Sequence, residues 1–257
     1  MKAYFSHEHP IRLAHRGSRV LWPENTMTAF QGAVDLGYRY LEIDVHVSSD
    51  GRVVVFHDDK LERLTEGVGK VWEHTWDELR ELDAAYNFRL DEGFPLRGTG
   101  LKIPLLEDLL ATLPEALLNI DLKQAGIEEV VASEIERLHA QDRVLIGSFR
   151  DWRIRKFRRL TQGRVAVSAG PRELAQAVAS CRIGLPVRGI ADALQIPRRI
   201  ASARLVDSAH KAGKQVHAWT VNDPDQMRAL LAMGVDGIIT DRPDVLNDVV
   251  FEKGDGR

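Results

Sequence analysis

Three short segments near the start of the chain hold residue types suited to phosphoryl chemistry. His15-Arg16-Gly17 closes one apolar run, Glu42-Ile43-Asp44 lies in a second, and His57-Asp58 ends a third. Imidazoles titrate near neutrality, so one ring can take a proton while the other gives one. Glu42 and Asp44, with Asp121 farther along, offer hard oxygen ligands of the kind that hold Mg²⁺ or Ca²⁺ rather than zinc. Arg16 and Lys123 can hold phosphate oxygens, the arginine through paired bonds. The competing reading of the three acids is a salt-bridge network with Arg16 and Lys123.

Spacing adds geometry to this inventory. Glu42 and Asp44 are two apart in a strand, so both point to one face. His46 continues that face and is expected as a packed neighbour. Asp50-Gly51 is a hairpin signal. A fold-back there pairs residues whose numbers sum to about 101, which sets His57 opposite Asp44. Pro23-Glu24-Asn25-Thr26 reads as a helix start, with Glu24 and Asn25 facing the same rim as His15. Trp219 is either a wall for the carbon skeleton of a substrate or a core residue.

Strand patterns fall at residues 11–14, 40–47, 53–57, 116–122, 144–149, 164–168, 193–196, 215–220 and 237–240. Helical patterns fall at 24–36, 105–113, 128–140, 151–160, 172–183, 202–212, 224–233 and 243–251. Such alternation favours a parallel sheet. With 53–57 counted as the return arm of a hairpin, eight strands remain, as a (β/α)₈ TIM-type barrel requires. A doubly wound open sheet is the rival, but no Gly-x-Gly-x-x-Gly follows a strand. In a barrel the strand C-termini share one rim. That rim would collect His15-Arg16-Gly17, Glu42/Asp44, Asp121/Lys123, Ser148-Phe149, Gln195, Trp219-Thr220 and Thr240-Asp241. Residues 1–257 read as one barrel domain with an insertion at about 58–102, placed to act as a lid or substrate wall.

Bulk properties narrow the setting. A net charge of −3, with 28% charged and 44% hydrophobic residues, gives no general attraction to nucleic acid. Cys181 is the one cysteine, which suits a reducing compartment. The polar N-terminus does not resemble a signal peptide, and no apolar run approaches the roughly 20 residues that span a bilayer. The expectation is a cytoplasmic protein without membrane insertion, its oligomeric state open. Arg150 to Leu160 carries six basic residues; it reads as the solvated face of an outer helix, with an anionic membrane surface as the other reading.

The motifs, taken in order, resemble the glycerophosphodiester phosphodiesterases. LAHRGSRVLWPENTMTAF is similar to that family's His-Arg-Gly and Pro-Glu-Asn-Thr motifs, and YLEIDVHVSSDGRVVVFHDD to its Glu-x-Asp and His-Asp strands. LTEGVGKVWEHTWDELRELD and IPLLEDLL resemble the two ends of the family insertion, followed by NIDLK, GSF, VHAWTVN and GVDGIITDRPD. The resemblance runs nearly end to end and is closest to the short cytoplasmic members. It implies a phosphodiesterase barrel like that of phosphatidylinositol-type phospholipase C, and hydrolysis of glycerophosphocholine or glycerophosphoethanolamine to sn-glycerol 3-phosphate and an alcohol. His15 and His57 match the acid/base pair, Arg16 and Lys123 the phosphate-binding groups, and Glu42 and Asp44 metal ligands. At the third ligand position the family usually has glutamate and this chain has Asp121, one methylene shorter. The nucleophile, water or the glycerol 2-hydroxyl, stays open, as does which imidazole is the base. Two alternatives stand beside this reading: a lysophospholipase D-like enzyme acting on single-chain lipids, with a groove near Trp219 or near Trp72, Trp76, Phe88 and Phe94 of the insertion, and a barrel that binds without turnover.

Overall fold

The computed structural model describes residues 2–251. The aliphatic runs form β1 (Ile11–His15), β2 (Tyr40–Val47), β3 (Val53–Val55), β4 (Leu117–Leu122), β5 (Val144–Gly147), β6 (Ala166–Val167), β7 (Ala193–Pro197), β8 (Gln215–Trp219) and β9 (Gly237–Thr240). Between and after them lie α1 (Met27–Asp35), α2 (Trp76–Leu79), α3 (Leu106–Thr112), α4 (Glu128–Arg137), α5 (Asp151–Leu160), α6 (Pro171–Arg182), α7 (Ala203–Lys211), α8 (Pro224–Met233) and α9 (Pro243–Phe251). The sheet runs β6-β5-β4-β2-β1-β9-β8-β7, with β3 added beside β2. A lone parallel bridge from Ser168 to Ala193 joins its two ends. The expected (β/α)₈ barrel is therefore present and nearly closed. No helix among the described residues is long and apolar enough to cross a membrane.

Alternation along each strand builds two layers from one sheet. In β2 all eight residues are buried. Leu41, Ile43 and Val45 join the layer beneath the helices. Tyr40 instead joins an inner cluster with Ile11, Leu13, Leu117, Leu145 and Ile239. The inner face is thus apolar at the strand N-termini and polar from Glu42 upward. Tyr4 and Phe5 plug the apolar end: the Tyr40 hydroxyl donates to the Tyr4 carbonyl at 2.8 Å, and the Tyr4 ring meets Phe5 and Tyr40 edge-on at 5.1 and 5.2 Å. Truncating so enclosed a ring leaves a cavity, so Phe5→Ala should cost about 3–5 kcal/mol. A fall in the denaturant midpoint, with kcat of the folded fraction unchanged, is the expected reading.

Parallel register levels the polar residues. His15 pairs with Glu42, Glu42 with Asn119, and Asp44 with Asp121. The hairpin departs from expectation by one residue. Val45 lies opposite Val55 and Val47 opposite Val53, and it is the Phe56 N–H, not His57, that meets the Asp44 carbonyl at 2.9 Å. The reason lies in the turn. A two-residue Asp50-Gly51 loop would pair Ser49 with Arg52, but the Ser48 N–H donates to the Arg52 carbonyl at 2.9 Å, leaving a three-residue loop with Gly51 at φ +88°. β3 then stops at Val55, and His57, outside the ladder, still lines the same cavity as Asp44.

Two other boundaries moved. The first helix begins at Met27, capped by Thr26 Oγ1, which accepts from the Ala29 N–H at 3.2 Å. Pro23-Glu24-Asn25 therefore stays in the loop, with Asn25 left-handed at φ +56°. The stretch 58–102 holds α2 and two short 3₁₀ turns. It is organised by its own apolar cluster, in which Leu61, Val71 and Leu79 pack on Val54 and Phe56. None of its residues lines the main cavity, so it does not form the expected substrate wall.

Candidate active site

A cavity of about 910 Å³ opens at the C-terminal rim of the barrel. His15, Arg16, Glu42, Asp44, His57, Asp121, Lys123 and Trp219 all line it, so every sequence-predicted site residue is brought together. Ser148, Phe149, Gln195 and Thr220 join them, whereas Asp241 lies wholly buried behind His15.

Each imidazole is held by its own carboxylate. His15 Nδ1 is 2.6 Å from Asp241 Oδ1, and His57 Nδ1 is 2.5 Å from Asp58 Oδ1. An ionised carboxylate only accepts, so both rings carry a proton on Nδ1. Nε2 is then the atom left for chemistry, and that of His15 lies 3.8 Å from Glu42 Oε2. Burial pushes the His15 pKa down, but the Glu42 charge and the Asp241 bond outweigh it and the net shift is upward. A raised folded-state pKa stabilises the fold below the unfolded value of about 6.5 and loses that contribution as pH rises through the folded value. The His15 ring in the metal-free protein should accordingly titrate above 6.5 by NMR; a midpoint below it would contradict this geometry.

The acids sit among cations. Asp44, 1% exposed, has Lys123 Nζ at 2.8 Å and Arg16 Nε at 3.2 Å, and Asn25 Nδ2 donates to it at 3.0 Å. Lys123 also donates to Asp121 Oδ2 at 2.7 Å. Burial pushes the Asp44 carboxyl up, yet Lys123 and Arg16 hold it well below the carboxylate range. Glu42 moves the other way: burial and the Asp44 charge raise it despite His15, Arg16 and Lys123. The competing salt-bridge reading of these residues is therefore physically present. As the side chains stand, no group of three or more His, Cys, Asp or Glu among the described residues is arranged to hold a metal.

The backbone at this rim is strained, as functional sites often are. Arg16 is left-handed at φ +54°; its N–H donates to the Glu42 carbonyl at 2.9 Å and lies 3.2 Å from Glu42 Oε2. Gly17 follows at φ +79°, where a Cβ would come within 2.6 Å of Ala29, so only glycine fits.

Several participants have no assigned part in the sequence reading. Asp241 is 226 positions from His15, and only the pairing of β9 with β1 brings them together. Arg63 of the insertion bonds Asp58 at 2.5 Å and Glu24 at 2.7 Å, and Glu24 in turn accepts from Arg16 at 2.8 Å. Glu24 and Asn25 do face the rim, as expected. His46 is a packed neighbour, fully buried, 5.7 Å from the Trp72 ring. The basic helix α5 is not simply a solvated face. Arg153 donates to the carbonyls of Leu122 and Lys123 at 2.8 Å each, and Lys156 pairs with buried Glu128 at 3.2 Å.

Oriented imidazoles beside buried cations, at the open end of a (β/α)₈ barrel, are the frame of an enzyme that handles phosphoryl groups. The chain belongs to the glycerophosphoryl diester phosphodiesterase family, whose model matches residues 15–245, and its activity is that of a glycerophosphodiester phosphodiesterase. The Mycobacterium tuberculosis protein named "Probable glycerophosphodiester phosphodiesterase 2" is 41% identical over 98% of this chain and 95% of its own. The glycerophosphoryl diester phosphodiesterase domain of another M. tuberculosis protein superposes with a TM-score of 0.84 at 25% identity, covering 95% of this chain and all of that one. A phosphodiesterase from Oleispira antarctica, solved in complex with the product sn-glycerol-3-phosphate, superposes at 0.77 and 25% identity, over 94% of this chain and 97% of that one.

Proposed function

We propose that the enzyme hydrolyses glycerophosphodiesters of small alcohols, such as glycerophosphocholine and glycerophosphoethanolamine, to sn-glycerol 3-phosphate and the alcohol, with His15 and His57 as the acid/base pair. The observation that carries this reading is the matched pair of His–Asp contacts through Nδ1, which leave Nε2 of each ring for chemistry in the cavity that Arg16 and Lys123 also line. One Nε2 takes the proton of the nucleophile as its oxygen bonds to phosphorus. The other gives a proton to the alcohol oxygen as the phosphorus–oxygen bond breaks. The nucleophile is water, or the glycerol 2-hydroxyl followed by water opening a cyclic phosphate. Arg16 and Lys123 hold the non-bridging oxygens and offset the charge that grows on them. The sn-glycerol-3-phosphate in the O. antarctica relative supports the product.

Glu42, Asp44 and Asp121 fit a divalent Mg²⁺ or Ca²⁺. All three are hard oxygen donors, Asp121 Oδ1 is buried without a hydrogen-bond partner, and Glu42 is raised by burial and by the neighbouring Asp44 charge, both of which a cation there would offset. When bound there, the ion supplies a Lewis acid for a phosphoryl oxygen. Cys181, free and buried, suits work in the reducing cytoplasm, on headgroups left by lipid deacylation.

The test is release of glycerol 3-phosphate from glycerophosphocholine with EDTA, Mg²⁺ or Ca²⁺. Release that needs a divalent ion is the expected outcome. Equal release in EDTA would overturn the metal reading, and no release under any condition would overturn the substrate.

A further inference from the structure

The two imidazoles meet their carboxylates in the same way, but those carboxylates are held by different means. Asp241, behind His15, accepts from Asn222 at 2.9 Å and has Arg19 at 3.1 Å. Asp58, behind His57, has one side-chain partner besides that ring among the described residues, Arg63 of the insertion. The same guanidinium also meets the Glu24 carboxylate, whose other partner among those residues is Arg16.

Arg63 serves the two acids with two different edges. Nε donates to Asp58 Oδ2 at 2.5 Å and Nη2 to Oδ1 at 3.0 Å. Nη1 and Nη2 donate to Glu24 Oε2 and Oε1 at 3.1 and 2.7 Å. A guanidinium is planar and rigid, so paired bonds on both edges fix the two carboxylates relative to each other. The insertion in turn sets the guanidinium. Leu61 and Thr65 are buried, and the Thr65 N–H and hydroxyl both donate to the Leu61 carbonyl at 3.0 Å, which closes the turn that carries Arg63. Arg63 does not line the cavity and its side chain is 44% exposed, so neither substrate contact nor core packing accounts for this geometry.

We propose that Arg63 is a positioning residue for the reaction, a clamp that orients the His57 imidazole through Asp58 and the Arg16 guanidinium through Glu24. The inference rests on the acid/base reading above and extends it to the insertion. Without Arg63 the Asp58 carboxylate keeps only the ring it orients, so nothing fixes the direction in which His57 Nε2 points. Glu24, 5% exposed at its side chain, keeps only Arg16. Arg16 lies between Glu24 at 2.8 Å and Asp44 at 3.2 Å, and the unbalanced Glu24 charge draws it away from the phosphate. The first loss falls on kcat and the second on KM.

The test measures kcat and KM for glycerophosphocholine, with thermal midpoints, in His57→Ala, Arg63→Ala, Arg63→Lys, Asp58→Ala, Glu24→Gln and the two double variants that join Arg63→Ala to each acid change. Arg63→Ala should raise KM and lower kcat by about 10–100-fold, the cost of misplacing a reacting group by about 1 Å. Arg63→Lys keeps the charge but not the fork, so it should fold like the wild type and still lose about tenfold in kcat. Groups that act through one another are not additive, so on top of Asp58→Ala the loss of Arg63 should change kcat by less than about threefold and still raise KM. On top of Glu24→Gln it should lower kcat and leave KM level. A wild-type kcat for Arg63→Ala, full recovery by lysine, or additive losses in kcat with Asp58→Ala would each overturn the clamp while the acid/base reading stands. A wild-type rate for His57→Ala would overturn that reading, and the clamp with it.

Discussion

Replacing His15 by alanine is expected to lower kcat for glycerophosphocholine by about 10²–10⁴-fold, the usual worth of a positioned acid or base. Thermal stability should change much less, because the ring lies at the rim, 14% exposed at its side chain, and not in either apolar layer. His57→Ala should cost a similar factor. The two variants differ in what rescues them. A diester whose leaving group is p-nitrophenol departs without protonation, so the variant lacking the acid should recover most of its rate on that substrate. The variant lacking the base should not, since the nucleophile still has to lose a proton. Rescue of one and only one variant therefore assigns the roles. If both were rescued, or neither, a division of labour between the two imidazoles would be untenable.

How much of this was legible in the chain depends on the distance over which each contact is set. Glu42, Asp44 and the run through His57 are local, and strand periodicity puts the first two on one face without any tertiary information. The barrel followed from counting strand and helix patterns. The hairpin register did not, because Asp50-Gly51 suits a two- or a three-residue loop, and only Ser48 bonding to Arg52 distinguishes them. Pro23 reads as a first-turn helix residue, and nothing local shows that Asn25 takes a left-handed backbone that postpones the helix to Met27. Asp241 shows the limit most sharply. A carboxylate after the last strand is ordinary loop chemistry until β9 pairs with β1.

Asp241→Asn is expected to be nearly as damaging as loss of the imidazole itself, with a fall in kcat of about 10²–10⁴-fold. The argument rests on how many donors already converge on this side chain. Oδ2 accepts from Asn222 Nδ2 at 2.9 Å and has Arg19 Nε at 3.1 Å, while Oδ1 takes the His15 Nδ1 proton. An asparagine has one oxygen to serve both sides. Turned toward Asn222 and Arg19, which are donors, that oxygen leaves the amide NH₂ facing His15 Nδ1. The ring must then accept there and carry its proton on Nε2, the atom the reaction needs free or exchangeable. The substitution also removes a negative charge that helps raise the His15 pKa, so the His15 titration should move down. A ¹⁵N spectrum of the imidazole, taken at a pH above its raised titration, reads the tautomer directly, and the wild type should show the Nδ1-protonated neutral form. If the variant keeps that form and still loses activity, Asp241 acts through something other than tautomer control. If it adopts the Nε2-protonated form and stays active, Nε2 of His15 is not the atom that moves the proton.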